Sequence, residues 1–527
     1  VNDPAPQVAV ELNGEQKKFA PGTRLIDACK QVGVDVPHFC YHPHLSIAGN
    51  CRMCAVEIEG QRGLPISCNT IVAEGMKVKT ESDRVKAARQ SVMEFLLVNH
   101  PIDCPICDQA GECKLQMYYM EHDLKPSRLE VEKVHYDKRV PVGSRVVLDQ
   151  ERCVECTRCI RFCDEVTKTG ELRMSNRGDR NVITTFPGVP LENNYSVNTA
   201  DLCPVGALTQ RDFRFQARVW FLKSNATVCP GCAKGCNVNV DYYHHDIVTD
   251  HNGKAYRLRP RQNDAVNKSW MCDFGRDEYR AINDGRLLGA SLRGEARPID
   301  VVAADARSEL LKWGRNALIV TSFDATVEEM AQLRRFARET LGGATIAAVP
   351  IRADGLRDDL LIRADKHPNR KGAEWLGLAT GFDRLPELLK NRPAVLLHRF
   401  DLALDADGRV RAALEAAGVR VVVAANESST TALATHLLPG ASFIEREGTW
   451  VNEDGRIQRV KRAYRPRKGT LDDLAAIATL SGGRLAAEAR AVFDGLGAEY
   501  KQFLGVHWDD LGPTGALAAP ATAGAAV

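Results

Sequence analysis

No run in these 527 residues approaches the ~20 consecutive apolar positions of a membrane span, so any membrane link is expected to pass through a partner. Net charge is nearly absent: 70 basic and 68 acidic residues leave +2, too weak a field to hold nucleic acid or an anionic bilayer. Also missing are a Gly-rich dinucleotide fingerprint with its following acidic residue, a G-x4-G-K-S/T loop and a nucleophile–base pairing. A chain without them is expected to carry no catalytic residue and not to transform a substrate itself. Residues 1–20 lack a basic start followed by an apolar run, which predicts no signal peptide. Cysteine is absent after Cys272, so the chemistry lies ahead of that point.

There it is dense. Of seventeen cysteines, all but Cys29 fall between Cys40 and Cys272. Cys40, Cys51, Cys54 and Cys68 read C-x10-C-x2-C-x13-C, and His100, Cys104, Cys107 and Cys113 read H-x3-C-x2-C-x5-C. Cys153, Cys156 and Cys159 have x2 spacings and are joined by Cys203, in Cys203-Pro204; Cys229, Cys232, Cys236 and Cys272 read C-x2-C-x3-C-x35-C. Such pairs in so long a chain point to metal-bound, reduced thiols and a reducing compartment, against a disulfide framework. One imidazole with three thiolates can hold a 4Fe-4S cluster at a raised potential, because the site is less negative. Zinc stays open for the first and fourth sets. Cys29 reads as a small buried hydrophobe, and Cys163 as a relic or a buried thiol, with exchange as a ligand the alternative.

Length and 44% hydrophobic content predict three to five domains. Residues 7–20 alternate about Asn13-Gly14, a hairpin signal, and Thr23 is expected to cap a short helix ended by Gly33. From Ser82 a stripe of Val85, Ala88, Val92, Phe95, Leu96 and Val98 predicts a helix that Pro101 stops, delivering His100. Residues 114–146 read as a helix and an extended crossing, and alternation after Cys236 as a strand. Beyond Asp273 the runs NALIVTS, PAVLLHRF and VRVVVAA predict buried strands, with helices over DATVEEMAQLRRFARETLGG and from Ser428. The Ala/Gly/Pro-rich tail from Gly512 is expected to be disordered.

Several stretches carry resemblances. Hairpin, helix and GNCRMCAVEIEG resemble the plant-type ferredoxin domain, a β-grasp fold, with the longer x10 spacing of its respiratory and hydrogenase-associated branch. DQERCVECTRCIRFCDEV is similar to a bacterial ferredoxin run, in which a fourth cysteine such as Cys163 serves a second cluster; the natural fourth ligand here is Cys203. VCPGCAKGCNVNVDYY with Cys272 resembles the N-terminal cluster of molybdopterin oxidoreductases. So does LATHLLPGASFIEREGTWVNEDGRIQR, through Leu438, Pro439, Glu445, Gly448, Thr449, Asn452, Gly455 and Arg456. Too few residues follow for a complete cofactor-embracing domain, so no molybdopterin is expected.

The order of the four sets resembles the large iron–sulfur subunit family of respiratory complex I, the G subunit of bacterial NADH-quinone oxidoreductase. The resemblance implies a multidomain α+β and α/β chain. Its parts are a 2Fe-2S β-grasp ferredoxin domain (1–80), a one-histidine/three-cysteine 4Fe-4S domain (81–146), a bacterial-ferredoxin-like 4Fe-4S domain (147–221), a molybdopterin-type 4Fe-4S domain (222–280), a shortened molybdopterin-oxidoreductase-like α/β domain (281–511) and a disordered tail (512–527). It implies one 2Fe-2S and three 4Fe-4S clusters on the four sets, and electrons passing from a flavin/NADH-oxidising subunit toward quinone through other iron–sulfur subunits of a membrane-bound complex. The place would be peripheral, at the cytoplasmic face of the bacterial inner membrane. An iron–sulfur subunit of an NAD-linked hydrogenase or formate dehydrogenase shares the first three sets, and a molybdenum-containing catalytic subunit is a further alternative.

Overall fold

Alternation about Asn13-Gly14 becomes an antiparallel hairpin, Val8–Leu12 against Glu15–Phe19, in the computed structural model of the protein, which describes residues 6–243 and 253–518. Both turn residues have positive φ, +52° and +88°, the conformation this pair tolerates. Val8–Leu12 also pairs in parallel with Met76–Lys79, which pairs with Glu57–Ile58, giving a four-stranded sheet. The helix Leu25–Gln31 lays Leu25, Ile26, Ala28 and Cys29 on it. Thr23 does not cap that helix. Its hydroxyl donates to the Ala20 carbonyl (2.7 Å) in the preceding turn, and Arg24 takes the N-cap position without a side-chain bond.

Ser82 does cap its helix, Asp83–Leu97, accepting from the Val85 amide. The buried face is Val85, Arg89 and Met93, four residues apart. Phe95, expected in the apolar stripe, falls on the opposite side and is 80% exposed. The helix Lys114–His122 follows the second cysteine set, and the strand Val146–Leu148 pairs with Leu208–Gln210, closing the intervening segment into a loop structure of its own. All of this belongs to one compact unit, Val1–Phe221.

The second unit, Leu222–Val527, begins with an antiparallel sheet of Leu222–Val228, Asn237–Tyr243 and Ala255–Pro260. A seven-stranded sheet follows. Five of its strands are parallel, in the spatial order Thr345–Val349, Leu318–Ser322, Ala394–His398, Val419–Ala424 and His436–Pro439. Their side chains are buried almost throughout, as expected of strands covered on both faces. The strand order reverses between Leu318–Ser322 and Ala394–His398, the switch point at which open α/β sheets form a crevice.

The helix expected from Ser428 shrinks to a single 3-10 turn, Thr431–Leu433. The Ser428 hydroxyl accepts from the amides of Thr430 and Thr431, and the chain enters the strand His436–Pro439 at once. The expectation of disorder from Gly512 also needs correction. Ala516–Leu517 pairs with Ile457 and Arg456, on the free edge of the hairpin Gly448–Val451/Arg456–Val460. The rest of that tail, 519–527, lies outside the described residues. No helix among the described residues is long and apolar enough to cross a membrane.

Candidate metal centres

In the first set, the loop after the β-grasp helix folds back so that the Cys40 amide approaches Cys51 Sγ at 3.5 Å. A hydrogen bond with the Cys51 thiol lowers the Cys40 pKa, one with Cys68 lowers Cys54 to about 7, and Cys51 and Cys68 are raised in turn. The four thiols therefore meet in two touching pairs.

The third set is more deeply enclosed. Glu155 and Thr157 take left-handed backbone (φ +48° and +59°), wrapping the run around its own sulfurs, and the Glu155 amide points at Cys153 Sγ (3.4 Å). Burial raises the Cys153, Cys156 and Cys159 thiols and takes Cys203 to about 12. Mutual repulsion adds to it: Cys203 and Cys156 act on Cys153, and Cys156, Cys153 and Cys203 on Cys159. Buried thiols that raise one another can all ionise only with a cation among them, which is the donor chemistry of a metal centre.

In the second set, burial raises Cys107 and takes Cys113 to about 11. His100 stands just beyond its helix, where Lys133 Nζ donates to the carbonyls of both Leu97 (2.7 Å) and His100 (2.8 Å). Burial lowers the imidazole to about 4, so it is neutral near pH 7, and its Nδ1 is buried without a hydrogen-bond partner. An orphaned buried nitrogen four residues before Cys104 fits a ligand role. Lys133, in the extended crossing, had no sequence signal.

The fourth set uses a hairpin. Cys229 and Cys236 flank its turn, and the Cys229 amide donates to the Cys236 carbonyl (2.8 Å). Cys272 opens the helix Asp273–Asp277 and its sulfur accepts from the Gly275 amide (3.3 Å). A Cβ on Gly275 would lie 2.9 Å from Cys229 Sγ and 3.5 Å from Cys272 Sγ, so this glycine is where the distant cysteine reaches the hairpin. Burial first, then the thiols of Cys236, Cys272 and Cys232, raise Cys229.

Cys29 sits in the β-grasp core and is raised to about 11 by burial. Cys163 lies in the π-turn Phe162–Val166, buried behind Cys159 and raised to about 12, chiefly by burial.

Within the first unit the third set touches both of the others. On one side Arg158 donates to the carbonyls of Tyr41 and Leu202, and Arg161 to those of Cys40 (2.6 Å) and Cys156 (3.1 Å). On the other, the Lys114 amide donates to the Pro204 carbonyl (2.9 Å), Arg152 pairs with Asp103 (2.6 Å), and a Cβ on Gly206 would lie 2.4 Å from Cys107 Sγ. The first and second loops also meet directly, the His38 amide donating to Tyr118 Oη (3.2 Å), so the three loops touch one another.

The second unit contains a further cluster of ligand-type side chains, Glu329, His398 and Asp473, at the switch point of the sheet. It does not fit a metal ion. Thr321 Oγ1 and Asp473 bond the two nitrogens of His398 (2.9 and 3.0 Å), Arg399 pairs with Asp473 (2.7 Å) and Arg446 with Glu329 (2.8 Å), so two guanidiniums already match two carboxylates. Burial works to raise Asp473, but Arg399, His398 and Arg446 outweigh it and hold the carboxyl far below the ordinary range. Stability from a lowered carboxyl is fully present above its unfolded value, about 4, and is lost as pH falls below that. Asp473→Asn leaves buried cations unpaired, so a loss of about 3–5 kcal/mol is expected by chemical denaturation, together with a flatter acid limb.

The residues resembling the molybdopterin-oxidoreductase stretch are spent inside the protein. Glu445 pairs with Arg286 (2.7 Å), Thr449 bonds Glu328 (2.8 Å), Asn452 accepts from the Arg456 amide (2.8 Å) and Leu438 is core.

Four stretches match known families: residues 5–83 the 2Fe-2S iron–sulfur cluster binding domain, 89–128 the NADH-ubiquinone oxidoreductase-G iron–sulfur binding region, 143–209 the ferredoxin-like domain of NADH-quinone oxidoreductase subunit 3, and 222–284 the molybdopterin oxidoreductase Fe4S4 domain. The chain thus contains 2Fe-2S and 4Fe-4S binding domains in a mixed α/β frame, as the sequence led us to expect. It is 38% identical over 347 residues to the G subunit of the NADH-quinone oxidoreductase of Streptomyces coelicolor, covering 64% of this chain and 40% of that protein. To the mitochondrial NADH dehydrogenase [ubiquinone] iron-sulfur protein 1 of Solanum tuberosum it is 38% identical over 325 residues, covering 61% of this chain and 41% of that one. The chain spans about two fifths of the length of these relatives. A chain in a crystal structure of an NAD+-reducing [NiFe]-hydrogenase aligns at TM-score 0.37 and 25% identity, over 40% of this chain and 91% of that one.

Proposed function

We propose that this chain, whose cysteine-bearing half is related to the G subunits of NADH-quinone oxidoreductases, is the iron–sulfur electron-transfer subunit of such an enzyme. The observation that carries the reading is the contact of the third ligand set in the first unit with both of the others. Cys40, Cys51, Cys54 and Cys68 would hold a 2Fe-2S cluster; His100, Cys104, Cys107 and Cys113, then Cys153, Cys156, Cys159 and Cys203, then Cys229, Cys232, Cys236 and Cys272 would each hold a 4Fe-4S cluster. Bound clusters of this kind exchange single electrons without moving atoms.

The protein's part is to fix spacing and potential. Buried thiols exclude water, amides of Glu155, Gly231 and Gly275 aim N–H groups at sulfur, and the neutral His100 removes one negative charge from its site. The donor would be a flavin-bearing, NADH-oxidising subunit, and further iron–sulfur subunits would lead on to quinone. Its place would be peripheral, at the cytoplasmic face of the membrane. The crevice at the sheet's switch point is filled by the chain's own ion pairs, which supports a reading without molybdopterin.

Iron, sulfide, zinc and molybdenum per chain, on anaerobically purified protein, test this. About fourteen irons without molybdenum are expected. About ten irons with one zinc would make the fourth set structural, and stoichiometric molybdenum would favour a formate dehydrogenase-like catalytic subunit. His100→Cys is expected to keep a cubane and lower its potential, because a thiolate adds charge; a redox titration without a downward shift removes His100 from the ligands.

A further inference from the structure

Arg161 ends the short helix Arg158–Arg161 and reaches back across more than a hundred residues of sequence. One of its guanidinium nitrogens donates to the Cys40 carbonyl (2.6 Å) and to the Cys156 carbonyl (3.1 Å). The other terminal nitrogen donates to the Ser46 carbonyl (2.5 Å), and Nε to Thr157 Oγ1 (3.2 Å), which fixes the plane of the fork. Ser46 is gripped a second time: its amide and hydroxyl donate to the Glu165 carboxylate (2.9 and 2.5 Å), and Asn50 Nδ2 donates to the Glu155 carbonyl (2.9 Å). The loop bearing Cys40 and Cys51 is thereby clamped to the run bearing Cys153, Cys156 and Cys159.

We propose that Arg161 is a positioning residue for electron exchange between the first and third sets, and that its single cation fixes their separation and raises the potential of both. The physical argument has two parts. A planar five-donor fork can satisfy three carbonyls at fixed geometry, which a lysine ammonium on its flexible stem does not reproduce. An electron added to either set adds negative charge beside a partly enclosed cation, which favours the reduced form. The electron lost at the Cys40 side is the electron gained at the Cys156 side, with no bond made or broken.

This rests on both sets holding clusters, and the test separates the two ideas. The full chain, purified anaerobically, is titrated by potentiometric EPR, with the third set's signal assigned by its loss in Cys156→Ala. In Arg161→Gln both midpoints are expected to fall by at least tenfold in the reduction equilibrium, about 59 mV for one electron, and the spin–spin relaxation between the two signals to weaken. Arg161→Lys should restore the midpoints and leave the relaxation weak. Arg173→Gln, which removes an exposed partner of Asp164 on the neighbouring strand, should change neither. Unchanged midpoints in Arg161→Gln at full iron content overturn the inference. If that variant loses iron, Arg161→Lys decides: iron and midpoints recovered with weakened relaxation support it, and full loss in the lysine variant or wild-type relaxation overturns it. No 2Fe-2S signal in the parent protein would sink the electron-transfer reading first, and this inference with it.

Discussion

Cys156→Ala is expected to abolish electron flow from the flavin side to quinone while flavin reduction by NADH continues. Cys156 is buried in the set that contacts both of the others, and its backbone carbonyl is one of Arg161's acceptors. Replacing a residue that merely orients a ligand costs about 10–100-fold in metal affinity, so removing the ligand itself should cost more, with a loss of up to about four irons per chain. The 2Fe-2S signal should persist, because the four thiols of the first set meet in their own loop. Quinone reduction at the parent rate would refute the third set as an obligatory carrier.

Gly206→Ala should be nearly as damaging, although it removes no ligand. The new Cβ would sit 2.4 Å from Cys107 Sγ and 3.2 Å from the Gln109 Cβ, and a sulfur held in a cluster cannot swing aside. Either Cys107 leaves its place or the Cys203–Gly206 turn retreats, and the turn carries a ligand of the neighbouring set. Overpacking alone costs about 1–3 kcal/mol; the larger effect is expected in iron content, with cubane signals lost and the 2Fe-2S signal retained. Gly63→Ala, where a Cβ meets nothing within 4 Å and backbone φ is unconstrained, is the matched control. Full iron in Gly206→Ala would mean the loop yields at no cost.

Why one of these positions can be read from sequence and the other cannot is a matter of range. Cysteine sets announce themselves because ligands must recur at spacings that a short loop can fold around, and hairpin and strand signals at Asn13-Gly14 and in the runs ending at Ser322 and Phe400 are equally local. Gly206 reads as an ordinary turn residue beside Pro204; its necessity comes from a sulfur in another loop. Arg158 and Arg161 look like surface charge until their carbonyl partners, 117 and 121 residues earlier, are in place. The corrections share this cause. Phe95 joins the apolar stripe by its type, but packing selects the Val85–Arg89–Met93 face and buries an arginine paired with Glu81. Thr23 is available as a cap until the turn before it claims the hydroxyl, and the tail lacks any pattern that would announce pairing with Ile457.

The interleaving of the three sets also dictates a schedule for biosynthesis. The ribosome delivers the first two sets before the one that contacts both, since Cys203 and Gly206 emerge about a hundred residues after Cys104 and Cys107. Until that stretch is made, the Cys40 loop and the segment after Cys113 meet through His38 and Tyr118 but lack the partner that clamps both. The first site can be loaded early in its own β-grasp domain, but a nascent chain halted before the third set would lack the Arg161 clamp on the Cys40 loop and the Gly206 turn that packs on Cys107.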